Sequence, residues 1–169
     1  AGNYFEAFQT IVEDCPFPAI MGRVCVKPCE TGCNRNHIDN NINIHAVERY
    51  IGDEAIKLNW PIRYVAFTTH KRVLVIGAGP SGLSAAYQLA RMGHTVEVYE
   101  AGKEAGGLLR TGVPAYRLPK DILDAEIYRI KKMKVTIKLN HRVENVLTEK
   151  QAGNFDAVYV SIGAQLIHD

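Results

Sequence analysis

A glycine-rich turn between an apolar run and an alanine-rich segment most restricts how this chain can fold. Residues 72–79 read RVLVIGAG and residues 81–93 read SGLSAAYQLARMG. The apolar run predicts a parallel strand buried on both faces, and the second segment has the composition of a helix. Gly77, Gly79 and Gly82 give the spacing GxGxxG, which allows a tight turn, close approach of a pyrophosphate and close helix–strand packing. The sequence therefore predicts a dinucleotide-binding α/β fold.

An acidic residue follows the second strand of this pattern. TVEVYE alternates as a strand and ends at Glu100, 23 residues after Gly77, which is near the spacing expected for an acid that accepts hydrogen bonds from ribose hydroxyls. The alternative is a plain tight turn with a solvated strand end. NAD(P) and FAD both use such a turn. Gly106 and Gly107, together with Pro80, favour FAD.

The same alternation of strands and helices continues to the end of the chain. A helix is predicted to begin near Pro119, and AVYVSIG, from Ala157, predicts a fourth strand. Strands separated by helices indicate a parallel sheet with right-handed crossovers. The helix stripe comprises Leu123, Ile127 and Ile130, and the third strand comprises Val135, Ile137 and Leu139. We predict a Rossmann-like FAD-binding domain over residues 67–169.

The first 66 residues predict a small all-α domain. Apolar spacings of three and four predict helices in residues 3–14 and 44–58. Residues 15–41, rich in Pro, Gly, Asn and Cys, predict a loop whose shape does not depend on a core. All four cysteines lie there: Cys15, Cys25, Cys29 and Cys33.

The spacing of the cysteines favours some kinds of metal site over others. CxxxCxxxC differs from the paired CxxC of zinc sites and from the CxxxCxxC triplet of radical enzymes. Iron–sulfur clusters, which take thiolates from loops of varied spacing, are favoured. The alternative is a set of ordinary buried thiols. A cluster with four ligands needs more than the triplet, so Cys15 or residues outside this chain would have to complete it.

The composition fits a folded protein of one ordinary domain or two small ones. Of the 169 residues, 47% are hydrophobic and 22% are charged, which excludes a disordered or fibrous chain. The 20 basic and 18 acidic residues leave a net charge of +2, which disfavours nucleic acid as a partner. Because neither a membrane-length apolar run nor a signal sequence is present, we expect a cytoplasmic protein without membrane contact.

Four motifs in this order resemble the family of the small (β) subunit of glutamate synthase, the N-terminal part of dihydropyrimidine dehydrogenase and NADPH:ferredoxin oxidoreductases. They are DCPFPAIMGRVCVKPCETGCNR, VLVIGAGPSGLSAAYQLARMGHTVEVYE, GGLLRTGVPAYRLP and FDAVYVSIGA. The resemblance implies an iron–sulfur lobe, an FAD lobe and electron transfer from NAD(P)H through FAD to clusters and a partner. That partner is a large subunit or another electron-acceptor protein.

The resemblance also implies roles for individual residues. Cys25, Cys29 and Cys33 match ligands shared between two [4Fe-4S] clusters, and Glu48 matches a non-cysteine ligand, with a helix-surface charge as its alternative. Arg117 matches a basic contact to the cofactor, with a surface ion pair as its alternative. The implied FAD-binding positions are Gly77, Ala78, Gly79, Pro80, Ser81, Gly82, Glu100, Gly106, Gly107, Leu108, Val143 and Gly163, the last in a turn with Ser161 and Ile162.

The chain also departs from the family pattern. No further cysteine array precedes Ala1, and no second glycine turn follows the fourth strand, so we expect a fragment truncated at both ends and inactive by itself. Cys15 is expected to be a structural thiol. No side chain is expected to act as a catalytic acid, base or nucleophile. Two rival interpretations are an NAD-dependent dehydrogenase with a zinc lobe and a non-catalytic electron-transfer or adaptor module.

Overall fold

The computed structural model describes residues 2–64 and 67–164. The chain divides into two compact units. The first consists of Ala1–Ile62 with Ala115–Glu126, and the second consists of Arg63–Pro114 with Ile127–Asp169. Residues 115–126, which the sequence analysis grouped with the FAD-binding domain, thus belong to the first unit.

The first unit is helical. Its helices are α1 (Tyr4–Asp14), α2 (Pro18–Val24), α3 (Pro28–Thr31) and α4 (Ile44–Lys57), with a 3₁₀ turn at Asn34–His37. Side-chain caps explain where the two longer helices begin, since Asn3 accepts a hydrogen bond from the amide of Glu6 and Asn43 accepts one from Ala46. These two helices were predicted. The expectation of a loop throughout residues 15–41 was wrong, because α2 and α3 each begin at a proline, whose fixed φ suits a first helical position.

Two glycines let α2 and α4 approach closely. A Cβ added at Gly22 would overlap the backbone nitrogen of Arg49, and one added at Gly52 would overlap that of Ala19. This contact buries the α4 face that carries Ile51, Gly52 and Ala55. The other apolar residues of the predicted helix, Ile44, Val47, Tyr50 and Leu58, are exposed.

The second unit contains a four-stranded parallel sheet in the order β3-β2-β1-β4. The strands are β1 (Arg72–Ile76), β2 (Thr95–Tyr99), β3 (Thr136–Lys138) and β4 (Ala157–Val160). Central β1 is deeply buried, with Leu74 and Val75 fully inaccessible. The parallel sheet confirms the predicted α/β class.

Helices follow each of the first three strands. They are α5 (Pro80–Arg91), α6 (Leu108–Thr111), α7 (Lys120–Lys132) and α8 (Val146–Ala152). The part of α7 up to Glu126 belongs to the first unit. The predicted stripe of α7 is buried, whereas α6 and α8 were not predicted. None of the helices in residues 2–64 and 67–164 is long and apolar enough to cross a membrane.

Candidate functional site

The glycine turn lies where β1 ends and α5 begins. Gly77 has φ +102°, and an added Cβ would overlap the carbonyl oxygen of Ser161. A Cβ at Gly82 would overlap the carbonyl oxygen of Gly77 and lie 2.6 Å from Oγ of Ser161. Both positions therefore require glycine for the packing of strand, turn and helix.

Gly79 differs from the other two glycines because its missing side chain leaves open space. A Cβ there would come no closer than 4.0 Å to Cα of Gly107, and its φ of −79° and ψ of −176° are open to any residue. This open face borders a cavity of about 600 Å³. Gly79 is thus free of a packing role and leaves room for a group that approaches the backbone closely.

The start of α5 gives the cavity a positive character. This helix has 12 residues, begins at Pro80, and has no side-chain hydrogen bond at its N-cap. The first amides of a helix have no intrahelical acceptor, and the helix dipole favours negative charge at this end. The cavity at Gly79 can therefore accept a phosphate group.

Two further glycines, Gly106 and Gly107, lie directly beside the turn. The amide of Gly106 donates to the carbonyl oxygen of Ala78 at 2.8 Å. Gly107 has φ +51°, and an added Cβ would lie 2.8 Å from Cα of Gly79. Leu108, which also lines the cavity, is 67% exposed. The second glycine segment is therefore joined to the turn and shapes the same space.

Glu100 fixes the turn through both of its carboxylate oxygens. Oε2 accepts from the amide of Ala78 at 2.8 Å, and Oε1 accepts from the amide of Gly102 at 2.7 Å. A carboxylate offers about four acceptor sites, so it retains capacity for ribose hydroxyls. Glu100 therefore fixes the shape of the turn and keeps acceptor sites free for a ligand.

Residues after β3 complete the cavity, and sequence reasoning missed two of them. His141 and Arg142 line it beside the predicted Val143. The ring of His141 lies 4.3 Å from that of Tyr99, and its amide donates to the carbonyl oxygen of Glu100 at 2.8 Å. The sequence could have indicated both residues, because they follow a predicted strand and the carboxyl ends of parallel strands meet at one edge of a sheet.

The structure brings most of the predicted FAD-binding residues together. Ala78, Gly82 and Gly106 contribute to the turn through backbone packing or hydrogen bonds. Ser161 holds the end of β4 to the turn, because its Oγ donates to the carbonyl oxygens of Ile76 and Gly77. The predicted residues that line the cavity are Gly77, Gly79, Pro80, Ser81, Glu100, Gly107, Leu108, Val143, Ser161, Ile162 and Gly163.

Arg117 lies in the first unit, outside this cavity. It donates to the carbonyl oxygens of Arg23 and Val24, both at 3.3 Å, at the end of α2. With Arg23, Arg49 and other residues it lines a separate pocket of about 340 Å³. Arg23 forms a bidentate pair with Asp53 at 2.7 and 2.9 Å. The pocket is rich in guanidinium groups, but the contact between Arg117 and a cofactor remains a prediction.

The predicted cluster ligands do not form a metal site among the described residues. Cys29 is exposed, Cys25 and Cys33 are half-buried, and all are free thiols. Within the described ranges, no three His, Cys, Asp or Glu side chains converge as a metal site. The thiols suit iron chemically, but the donors described do not enclose a cluster. The assignment of Cys25, Cys29, Cys33 and Glu48 therefore remains a prediction.

Local hydrogen bonds and burial shift the pKa values of these groups in different directions. Backbone amides, foremost that of Ile42, lower the pKa of the Cys33 thiol. Burial raises the pKa of Cys15 to about 11, in agreement with a thiol that stays protonated. Burial also raises the pKa of Glu48, an effect that the nearby His45 partly offsets.

Two family models match the chain. Residues 1–60 match dihydropyrimidine dehydrogenase domain II, 4Fe-4S cluster, and residues 75–132 match an NAD(P)-binding Rossmann-like domain. The chain is 41% identical to NAD-dependent dihydropyrimidine dehydrogenase subunit PreT from Escherichia coli K12, over 95% of this chain and 40% of that protein. The similarity to this oxidoreductase subunit therefore extends over almost the whole of this chain.

Other similar proteins are also named as subunits of oxidoreductases. The β subunit of NADP(+)-dependent formate dehydrogenase from Moorella thermoacetica is 39% identical, over 96% of this chain and 26% of that protein. The small chain of NADPH glutamate synthase from Bacillus subtilis is 34% identical, over 99% and 34% of the respective chains. The chain thus spans about a quarter to two fifths of the lengths of these relatives.

Proposed function

We propose that this chain is the FAD-binding and iron–sulfur part of an NAD(P)H oxidoreductase. The observation that carries the proposal is the open face of Gly79, beside an uncapped helix start and a carboxylate. A turn with only a packing role would not need to leave this space empty. The similarity to subunits of NAD(P)-dependent oxidoreductases supports the same proposal.

Each wall of the cavity has its own role in holding FAD. The Gly79 face and the first amides of α5 would hold the pyrophosphate, since backbone N–H groups donate to phosphate oxygens. Glu100 would accept hydrogen bonds from the adenosine ribose, and Val143 would present its backbone to the adenine. Gly107 and Leu108, which line the cavity beside the turn, would border the cofactor, and Gly106 would hold their segment to Ala78.

The chain's residues bind and orient rather than carry out acid–base chemistry. When bound, FAD supplies acceptance of a hydride and release of single electrons. Glu100 and the glycine turn hold its adenosine and pyrophosphate portions. We propose, as the resemblance implies, that Arg117 makes a basic contact to the cofactor in the intact protein.

We propose that the cysteine loop contributes iron ligands. Cys25, Cys29 and Cys33 are free thiols in the region that matches the 4Fe-4S family model, and Glu48 is a half-buried carboxylate on α4. The proposal extends to ligand contribution alone, because the described side chains do not enclose a cluster. Since the relatives are named as subunits, we also propose a partner subunit that accepts electrons, in a cytoplasmic protein.

A second candidate ligand for the cavity is NAD(H), favoured by the match of residues 75–132 to an NAD(P)-binding domain. Glu100 discriminates among nucleotides in either case. Its carboxylate accepts hydrogen bonds from unmodified ribose hydroxyls but repels a 2′-phosphate. NADP(H) should therefore bind this cavity more weakly than FAD or NAD(H).

Titration of the purified chain with FAD, NAD⁺ and NADP⁺ tests the proposal. We expect FAD to bind most tightly, as measured by quenching of flavin fluorescence and by calorimetry, and NADP⁺ to bind most weakly. Tighter binding of NAD⁺ than of FAD would instead support the second candidate. Absence of binding by all three nucleotides would refute a dinucleotide site.

A further inference from the structure

A buried carboxylate lies within the cysteine loop, between Cys29 and Cys33. Glu30, on the short helix α3, is only 5% exposed. An ionised carboxylate away from water is costly unless charged or hydrogen-bonding groups compensate it. The contacts of Glu30 are therefore informative about what holds the loop in place.

The carboxylate of Glu30 connects three separate parts of the first unit. Oε1 accepts from the backbone amide of His45 at 2.9 Å, in the first turn of α4. Oε2 accepts from Nδ2 of Asn41 and pairs with Nζ of Lys27, both at 3.4 Å. One side chain thus joins the residue before α3, the segment after the 3₁₀ turn and the start of α4.

The contact with α4 has the geometry of a helix cap supplied from a distance. Asn43 accepts from the amide of Ala46, and Glu30, 15 residues before His45, accepts from the amide of that residue. Negative charge is favourable at a helix N-terminus. The charge of Glu30 and its acceptor oxygen therefore both stabilise the attachment of the loop to α4.

The backbone of Glu30 stabilises the loop on its other side. Its carbonyl oxygen accepts from the amide of Cys33 at 3.3 Å and from Nδ2 of Asn36 at 3.1 Å. The same residue therefore connects to Cys33 through its backbone and to α4 through its side chain.

We infer that Glu30 is a positioning residue that fixes the loop of Cys29 and Cys33 against the start of α4, the helix that carries Glu48. The inference concerns the loop itself, and its consequence for iron binding rests on the proposed function. Removal of the carboxylate should free the loop from α4 and change the spacing between the thiols and Glu48.

Variants Glu30→Ala and Glu30→Gln test this role in the full chain, with Asp39→Asn as a matched control. Asp39 is an exposed carboxylate nearby that pairs with Arg35. The first measurement is hydrogen exchange at the His45 amide in iron-free protein. We expect exchange about tenfold faster or more in Glu30→Ala, because a hydrogen bond to a charged group is lost. Glu30→Gln, which keeps an acceptor oxygen, should show a smaller increase, and the control should match the wild type.

The second measurement is iron and sulfide content after anaerobic reconstitution, together with the electron paramagnetic resonance spectrum. We expect Glu30→Ala to bind less iron or to give a changed spectrum, and Glu30→Gln to recover part of the wild-type behaviour. If Glu30→Ala does not fold, the exchange rate of Glu30→Gln decides the inference.

The two measurements separate the inference from the proposed function. Wild-type exchange at His45 in both Glu30 variants would overturn the positioning role. Faster exchange would support it even if the wild-type chain bound no iron, and that second result would refute only the proposed ligand contribution. Faster exchange with an unchanged cluster spectrum would overturn the link between Glu30 and cluster geometry.

Discussion

Substitution of Gly79 separates loss of the site from loss of the fold. The open space beside Gly79 and its backbone angles accommodate a Cβ, whereas Gly77 combines φ +102° with overlap on Ser161. Gly79→Ala and Gly79→Leu should therefore fold and block the cavity. Gly77→Ala should instead disrupt the turn and lower stability as well as binding.

The expected effect on stability is small. Alanine restricts the unfolded chain and stabilises by about 0.4–1 kcal/mol where the backbone allows it. Gly79 is also the N-cap of α5, where glycine is preferred to alanine by a similar amount. The two effects nearly cancel, so the unfolding midpoint of Gly79→Ala should lie within about 4 °C of the wild type.

The expected effect on FAD binding is larger. A side chain over the turn displaces the pyrophosphate and removes at least one charge-assisted hydrogen bond, worth about 1.5–3 kcal/mol. This corresponds to a weakening of about 10- to 150-fold. Leucine, which fills more of the space, should give the larger loss.

Flavin titration and thermal unfolding of the same preparations provide the measurements. We expect weak binding with normal stability for both Gly79 variants. Wild-type affinity in Gly79→Leu would refute the placement of the pyrophosphate at this turn. A large loss of stability in Gly79→Ala would refute the claim that the space is open.

Three further predictions test other parts of the structure. Glu100→Ala should weaken FAD binding about tenfold or more, because the variant loses the ribose contacts and an acceptor for the turn. The control is Glu104→Ala, which removes an exposed carboxylate outside the cavity. Equal FAD affinities of the two variants in a titration would contradict the role of Glu100. Gly52→Ala should lower the free energy of unfolding by about 1–3 kcal/mol in denaturant titrations, because the methyl group would overlap backbone across the helix contact. Gly32→Ala, whose Cβ would lie 3.6 Å from its nearest neighbour, should change it by less than about 0.5 kcal/mol, and equal losses in the two variants would refute the close helix contact. Alkylation of Cys15 by iodoacetamide should be slow at pH 8, because only about one thiol in a thousand is then a thiolate. The alkylation rate should increase about tenfold per pH unit towards the pKa of about 11. A rate independent of pH in site-resolved mass spectrometry would contradict this raised pKa.

The local pattern around the glycine turn was predictable because each step depends on neighbouring residues. The apolar run, the GxGxxG spacing and Glu100 lie within 29 residues of one another and correspond to β1, α5 and β2. The residue types themselves indicate the chemistry, because glycines allow a ligand to approach the backbone closely and a carboxylate accepts hydrogen bonds from hydroxyl groups. The structure places these groups around one cavity, as the pattern indicated.

Contacts between distant residues were not predictable from periodicity. The spacing of α4 did not reveal which side is buried, because apolar residues occupy both sides and the glycine contact with α2 selects Ile51 and Ala55. The roles of His141 and Glu30 also depend on residues elsewhere in the chain. A hydrophobic pattern does not indicate which distant residues will be in contact.

The sequence alone determined the parallel α/β class, the position of the glycine turn and the cysteine-rich character of the first unit, because these depend on residue type and short spacing. Only the tertiary structure decided that Gly79 faces open space while Gly77 and Gly82 are closed by packing. It also decided that Glu30 connects the cysteine loop to α4. Both outcomes depend on contacts between atoms that are distant in the sequence, and residue spacing does not specify those contacts.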